Sequence, residues 1–249
     1  MNRLAVISDI HGNCVALDAV LLDMKRESIE RAVCLGDAIQ GGPQPALVVQ
    51  RLKELDCPVV MGNSDSWLLS GVETDSERIS EERRKKLDII REWSLSKLSE
   101  EDKAFISAFQ PTFTLPLDND RSLFCFHGSP ASFDELIFPD TPEEEFKRIL
   151  GANASHILAG GHVHLQFMRR IRDSFHFNPG SVGVAFNRVQ PEDSFKLDPW
   201  AEYAVLTLDS TRLALEFRRI PFDVDELIRV SRAEGRPFTD ETAREYDRQ

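Results

Sequence analysis

Two aspartates, one asparagine and four histidines of this 249-residue chain belong to the side-chain types that hold divalent metal ions. Asp9 and His11 stand one residue apart in the stretch VISDIHGN, residues 6–13. Asp37 follows Gly36, Asn63 follows Gly62, His127 precedes Gly128, and His162 and His164 follow the pair Gly160, Gly161. Taken singly, each has an ordinary explanation, because aspartate caps helices, histidine occupies solvated loops and glycine supplies turns. Taken together they form a donor set of carboxylates, an amide and imidazoles with no thiolate. Such a set suits Mn²⁺, Fe²⁺, Zn²⁺ or Co²⁺ rather than a structural zinc–cysteine site. Seven ligands exceed what one tetrahedral ion takes and match two ions that share a carboxylate.

These residues can meet only if the fold brings distant loops together, so the elements before them matter. Residues 4–8 are a continuous apolar run, as in a strand buried on both faces. A helix is expected from Asn13, a plausible cap, to Lys25, with Leu17, Val20, Leu21 and Met24 on one face. Strands are expected at 32–35 and 59–61, with a helix opening at the prolines Pro43 and Pro45 between them and burying Val48, Leu52 and Leu55. Each strand exits into glycine and polar residues. This β-α-β-α-β order predicts a parallel sheet with right-handed crossovers. Ligands of such sheets bind at the C-terminal ends of the strands, where the seven residues stand.

The remaining elements divide into two kinds. Residues 66–110 read as charged helices, with RRKK at 83–86 on a solvated face and a capping-box pattern at Ser99 and Asp102. This segment is expected to be an insertion that overhangs the site as a cap. Beyond Pro111, strands are expected at 112–116 and 123–127, a helix at 142–150, a strand at 156–159 and hairpins at 166–178 and 203–218. His156 and His176 fall inside strand-like runs and read as structural. A helix carrying Val224, Leu227 and Ile228 follows, and the polar tail from about Glu234 is expected to fray. One domain spanning 1–249 is expected, with the C-terminal hairpin, helix and tail at 201–249.

Composition limits the class of protein. A hydrophobic fraction of 41% and a charged fraction of 29% describe an ordinary globular chain. The net charge of −12 opposes general attraction to extended nucleic acid or anionic lipid, so neither partner is expected. A strand expected from about Arg3 leaves no room for a signal peptide, and no apolar run is long enough to span a bilayer. The expectation is a cytoplasmic protein whose Cys14, Cys34, Cys57 and Cys125 are reduced, mostly buried thiols, with oligomeric state open.

The ordered series Asp9-Ile10-His11-Gly12-Asn13, Gly36-Asp37, Gly62-Asn63-Ser64-Asp65, His127-Gly128 and Gly161-His162-Val163-His164 resembles the calcineurin-like metallophosphoesterase superfamily. The closing run Asn178-Pro179-Gly180-Ser181-Val182-Gly183 is similar to a loop of its compact bacterial and archaeal phosphodiesterases, which are also similar to diadenosine tetraphosphatases. The resemblance covers residues 4 to about 184. It implies an α/β four-layer αββα sandwich in which two mixed β-sheets pack together with helices outside. It also implies that Asp9, His11 and His164 hold one ion, that Asn63, His127 and His162 hold the other, and that Asp37 bridges them. Two divalent ions are the expected cofactors, Mn²⁺ first, with Fe, Zn, Co or Ni as alternatives.

Two such ions, about 3.5–4 Å apart, would hold a bridging hydroxide and clamp phosphoryl oxygens, which predicts a phosphodiesterase or pyrophosphohydrolase acting on a small phosphorylated substrate. A phosphoprotein phosphatase and a non-catalytic scaffold on the same fold are the alternatives. Asp37, Asn63, His127 and Asp65 are the candidate catalytic residues, Asp65 as an assisting acid or a supporting hydrogen-bond group. Asn13, Gly41, Gly42 and Arg188 are candidate substrate contacts, each with a cap, turn or surface-pair alternative. Many superfamily members carry histidine after the asparagine ligand, where it can protonate the leaving oxygen. Here Ser64 stands there, and a hydroxyl is a poor acid near neutral pH. Across an aryl phosphodiester series the hydrolysis rate is therefore expected to rise steeply as the leaving group becomes more acidic; a flat series would contradict this.

Overall fold

A computed structural model describes residues 2–72, 80–118, 121–151, 157–171, 174–191, 195–209 and 212–246. The expected turn residues Asn119, Asp120, Arg172 and Asp173, the strand residue His156 and part of the expected insertion, 73–79, lie outside them. Among the described residues nine strands form two sheets. The first has the order β2 (Arg31–Cys34), β1 (Asn2–Ile7), β8 (Trp200–Leu208), β9 (Leu213–Pro221). The second has the order β3 (Phe113–Pro116), β4 (Ser122–Cys125), β5 (Ile157–Ala159), β7 (Ser174–Pro179), β6 (Gln166–Ile171). Both are mixed: β1 pairs parallel with β2 and antiparallel with β8, while β4, β5 and β7 run parallel between antiparallel edge strands.

Period-2 alternation assigns the faces of these strands. Leu4 and Val6 of β1, Leu206 and Leu208 of β8, Leu123 and Cys125 of β4, and Ile157 and Ala159 of β5 close together as the layer between the sheets. Their neighbours point outward. Ala5, Ile7, Tyr203 and Val205 pack with Leu17 and Val20 of α1 (Cys14–Arg26) and Val48 and Leu52 of α2 (Pro45–Leu55). On the other side Leu158 packs with Phe126, Phe167 and with Phe146 and Ile149 of α6 (Glu143–Leu150). The result is two mixed sheets between helices.

The helices follow local rules. The Asn13 side chain caps α1 by accepting from Ala16 N at 3.0 Å, and Pro45 occupies the first turn of α2. The expected strand at 59–61 is reduced to single bridges, Val59 with Cys34 and Val60 with Gln110. Pro58 has no N–H to extend the ladder, and α3 (Asn63–Ser70) begins two residues after Met61. In the charged segment α4 (Glu81–Ser96) and α5 (Glu100–Ser107) form, and Ser99 and Asp102 make the capping box that opens α5. Lys53 of α2 pairs with Glu101 and Asp102, and Arg91 donates to Trp67 O of α3. As far as residue 246 the tail is helical where fraying was expected: α7 (Val224–Ala233) is followed by α8 (Thr239–Tyr246), whose Glu241 pairs with Lys86. Eight residues with one large aromatic carry no readable period, and the contacts that hold α8 are largely polar. Cys14, Cys34 and Cys125 are buried, Cys57 is partly so, and all four are free. Among the described residues no helix is long and apolar enough to cross a membrane.

His176 of β7 is 1% exposed, stacks on Phe126 with ring centroids 5.6 Å apart, and has no hydrogen-bond partner on either ring nitrogen. Burial, with the nearby Arg169 charge, pushes its pKa from 6.5 to about 3. The native ring stays neutral while the unfolded ring binds a proton. Stability present above pH 6.5 is therefore lost as pH falls toward 3, on the order of 4 kcal/mol at the end of that window. His176→Phe, placed among Phe126, Phe146 and Phe167, is expected to flatten this part of the urea-midpoint-against-pH curve.

Candidate metal centre

The exits of β1, β2, β4 and β5 converge. Asp9 and His11 leave β1, Asp37 leaves β2, His127 leaves β4, and His162 and His164 leave β5. Main-chain bonds lace these exits together: Asp9 N to Gly36 O at 2.9 Å, His11 N to Asp37 O at 2.8 Å and Gly161 N to His127 O at 2.9 Å. The 178–184 loop joins them, with Val182 N on Ser8 O, Gly183 N on Asp9 O and the Ser181 hydroxyl on Asp9 O. Two clusters result, one of Asp9, His11 and His164 and one of Asp37, His127 and His162, the ligand atoms of each lying within 4.8 Å of one another. Asn63, the first residue of α3, brings Oδ1 to 3.0 Å from His127 Nε2. Asp37 stands between the clusters, Oδ2 3.7 Å from His11 Nε2 and Oδ1 3.4 Å from His127 Nε2.

The carbonyl partners of the rings assign their protons. A carbonyl oxygen only accepts, so the ring nitrogen facing it carries hydrogen. His11 Nδ1 donates to Gln40 O at 2.9 Å, His127 Nδ1 to Leu35 O at 2.8 Å and His164 Nδ1 to Val184 O at 2.7 Å. His162 is reversed, with Nε2 donating to Asp134 O at 3.2 Å. Each ring, once deprotonated, therefore turns a lone pair inward. The inward Nε2 atoms of His11 and His164 are 3.1 Å apart, and His127 Nε2 faces oxygen atoms of Asn63 and Asp37. Asp9 Oδ1 is buried with no hydrogen-bond partner, 3.2 Å from His164 Nε2. Lone pairs that face one another in a buried site repel unless positive charge is shared among them. Metal ions fit these residues.

The electrostatics agree in sign. Burial alone would raise the carboxyls, but the imidazoles outweigh it: His164 holds Asp9, and His127 holds Asp37, below the usual carboxylate range. Burial alone would lower His127, and Asp37 outweighs it, carrying the ring up to about 10. The site thus draws in positive charge, as protons or as metal, and metal binding must displace protons.

Five of the seven candidate ligands have left-handed backbone: Asp9 at φ 54°, His11 at 48°, Asp37 at 50°, His162 at 71° and His164 at 52°. Each costs of order 1–3 kcal/mol, and such strain gathers at sites whose surroundings over-determine it. Gly62 shows the crowding: a Cβ there would enter the van der Waals shell of Asp37 Oδ1 and backbone N.

The other sequence candidates divide. Asp65 is fully buried and accepts from Ala38 N and Ile39 N at 3.0–3.1 Å, with burial and then Asp37 raising its pKa to about 7. This moves it from the reacting groups to the supports of the loop after Asp37. Asn13 is occupied as well, capping α1 through Oδ1 and donating from Nδ2 to Gly183 O at 3.0 Å. It is not a free substrate contact. Gly41 and Gly42 lie against His11, with Gly42 N donating to His11 O at 2.5 Å. Arg188 is exposed, its guanidinium 3.7 Å from the centroid of the Phe138 ring. Ser64 is spoken for: its N–H and hydroxyl both donate to Asp37 at 2.8 Å. The carbonyls of Leu35, Gln40, Asp134 and Val184 were not readable in advance, because a main-chain carbonyl has no residue signature.

A calcineurin-like phosphoesterase superfamily domain matches residues 2–209. The chain belongs to this superfamily. It is a metal-dependent phosphoesterase of the calcineurin-like type, and the clusters built from the strand exits are its candidate metal ligands. Two curated relatives align well. An uncharacterized protein of Methanocaldococcus jannaschii is 27% identical over 240 residues, 90% of this chain and 89% of the relative. Phosphodiesterase YfcE of Escherichia coli is 28% identical over 194 residues, 74% of this chain and 81% of the relative. Among solved structures, a hypothetical protein from Pyrococcus horikoshii superposes with a TM-score of 0.78 at 20% identity, covering 99% of this chain and 98% of that one. A metallophosphoesterase from Sphaerobacter thermophilus reaches 0.73 at 22% identity with 98% of each chain covered. These two carry the fold.

Gly62 has φ −92° and ψ 166°, a conformation open to alanine, so Gly62→Ala tests the crowding alone. It is expected to push Asp37 aside and weaken metal binding by about tenfold or more, measured by calorimetry, with the far-UV circular dichroism retained.

Proposed function

We propose that this phosphoesterase hydrolyses a phosphodiester or phosphoanhydride bond of a small phosphorylated substrate at a dinuclear metal site. Asp9, His11 and His164 would hold one divalent ion and Asn63, His127 and His162 the other, with Asp37 shared between them. One observation carries this reading: two sets of inward lone pairs, each closed off by carbonyl-bound N–H groups, with Asp37 presenting one oxygen to each. Bound divalent ions supply Lewis acidity toward phosphoryl oxygens and make water nucleophilic near neutral pH. Mn²⁺ is the first choice, with Fe, Zn, Co or Ni as alternatives.

The chain's own residues supply orientation. The four carbonyl props fix ring tautomers, and Ser64 orients Asp37 from both of its oxygens. A hydroxyl donating to a carboxylate has its proton committed, so it is a poor proton source for a leaving oxygen. Leaving groups that need little protonation, such as aryl oxides or nucleotide phosphates, suit this site. Phe186 lies 5.7 Å from His164 between ring centroids and continues to Phe195, while Arg188 stacks on Phe138. An aromatic and cationic rim of this kind suits the organic part and the anionic part of such an ester. The likeness to phosphodiesterase YfcE supports the diester class. The four free thiols suit a reducing compartment, and we place the enzyme in the cytoplasm.

A Mn²⁺-supplemented screen of phosphomonoesters, phosphodiesters, phosphopeptides and dinucleoside polyphosphates tests the proposal beside an Asp37→Asn control. Turnover is expected for diesters or anhydrides and is expected to fall by about 100-fold or more in the control. Turnover confined to phosphopeptides would favour a phosphoprotein phosphatase. Bound metal with no turnover would favour a scaffold.

A further inference from the structure

The superfamily match ends at residue 209, yet the chain beyond it returns to the metal centre. Arg236 sits in the turn between α7 and α8. Its Nε donates to Gly41 O at 2.6 Å, and its Nη1 donates to Pro237 O and to Thr242 Oγ1, both at 3.0 Å. Gly41 is the middle of the tripeptide that grips His11. On one side Gln40 O accepts from His11 Nδ1 at 2.9 Å, and on the other Gly42 N donates to His11 O at 2.5 Å. Gly41 has φ +126°, which side-chain-bearing residues rarely adopt, and a Cβ there would stand 3.6 Å from His11 Cβ. The loop is thus tied to His11 at both ends and to Arg236 in the middle.

The guanidinium lies largely out of water: burial lowers its pKa, and the Glu245 charge offsets part of that. The hydrogen-bond partners named above are neutral oxygens, so hydrogen bonds recover part of the desolvation beside the Glu245 charge. Further contacts anchor the helix that carries Thr242. Glu245 O accepts from Leu197 N at 2.9 Å, Tyr246 Oη reaches Gly183 O at 3.5 Å, and Lys86 Nζ meets Glu241 at 2.9 Å. Gly183 O also accepts from Asn13 Nδ2. The C-terminal arm therefore touches both loops that flank the first metal cluster.

We infer that Arg236 is a positioning residue for His11, and that the C-terminal arm clamps the 40–42 loop so that His11 Nε2 points into its cluster. This rests on the reading of His11 as a metal ligand. Arg236 touches neither metal nor substrate in this account. It acts through a peptide group, as outer partners of ligating histidines do.

Calorimetric and electron-paramagnetic titration with Mn²⁺ alone tests the inference on the full chain. In Arg236→Ala one of two Mn²⁺ equivalents is expected to weaken by about 10- to 100-fold while the other holds. Thr242→Val, which removes one acceptor of the guanidinium and disturbs the fold less, is expected to weaken the same equivalent by a smaller factor. Arg232→Ala breaks the exposed Arg232–Asp240 pair of the same arm, 3.1 Å long, and is expected to leave both equivalents unchanged. Equal affinities in the wild type, Arg236→Ala and Thr242→Val would overturn the inference. Weakening of both equivalents together with a lowered melting temperature would overturn it too, as the mark of a merely structural role. Should Arg236→Ala not fold, Thr242→Val decides. Wild-type protein that binds no Mn²⁺ would instead sink the dinuclear reading itself.

Discussion

Inward-facing donor atoms that only a shared proton or a metal ion can reconcile are the constraint around which this protein is built. His11, His127 and His164 give Nδ1–H to main-chain carbonyls, so each turns Nε2 toward carboxylate, amide or imidazole, where a proton or a metal ion must sit. Removed from water, such an arrangement is unfavourable without shared positive charge. The protein does not relieve this by rotating a ring, because each ring is fixed from behind. It holds a fixed, electron-rich cavity, which suits divalent cations.

Holding that cavity requires backbone of an unusual kind. A strand end continues in the direction of the strand, whereas a ligand in a tight cluster must turn its side chain sharply back. Asp9, His11, Asp37, His162 and His164 do so through left-handed φ. The strain is offset by the bonds that lace the exits together and by the sheet layers beneath them. Small residues complete the device: at Gly42, Gly62, Gly161 and Gly183 a side chain would strike the neighbouring exit or a ligand. Asp65, cast by its position as a possible acid, belongs to this supporting frame, and so does the capping Asn13.

Much of the fold was legible because its signals are local. Continuous apolar runs marked β1 and β2, a period of 3.6 marked α1 and α2, and caps marked the starts of α1 and α5. The weak points were elements whose existence depends on distant partners. Val59 and Val60 carry strand propensity but find only one bridge on each side. The segment 239–246 carries almost no apolar period and is helical because Glu245, Tyr246 and the turn residue Arg236 bond to loops far back in the chain.

The sequence by itself determined the donor types: seven candidates of suitable hardness, six of them placed where a strand ends, and an ordered motif series that resembles one superfamily. Those properties follow from side-chain type and from short-range periodicity, which survive in one dimension. Which donors share a cluster, and that Asp37 stands between the groups, were reachable from the sequence only through the resemblance, and tertiary structure alone decided which ring nitrogen of each histidine faces inward. It alone set Ser64 against Asp37, Asp65 against the loop after Asp37, and Arg236 against Gly41 O. These properties are set by carbonyl directions and by contacts spanning up to 195 residues along the chain, and a carbonyl is the same group at every position until the fold aims it.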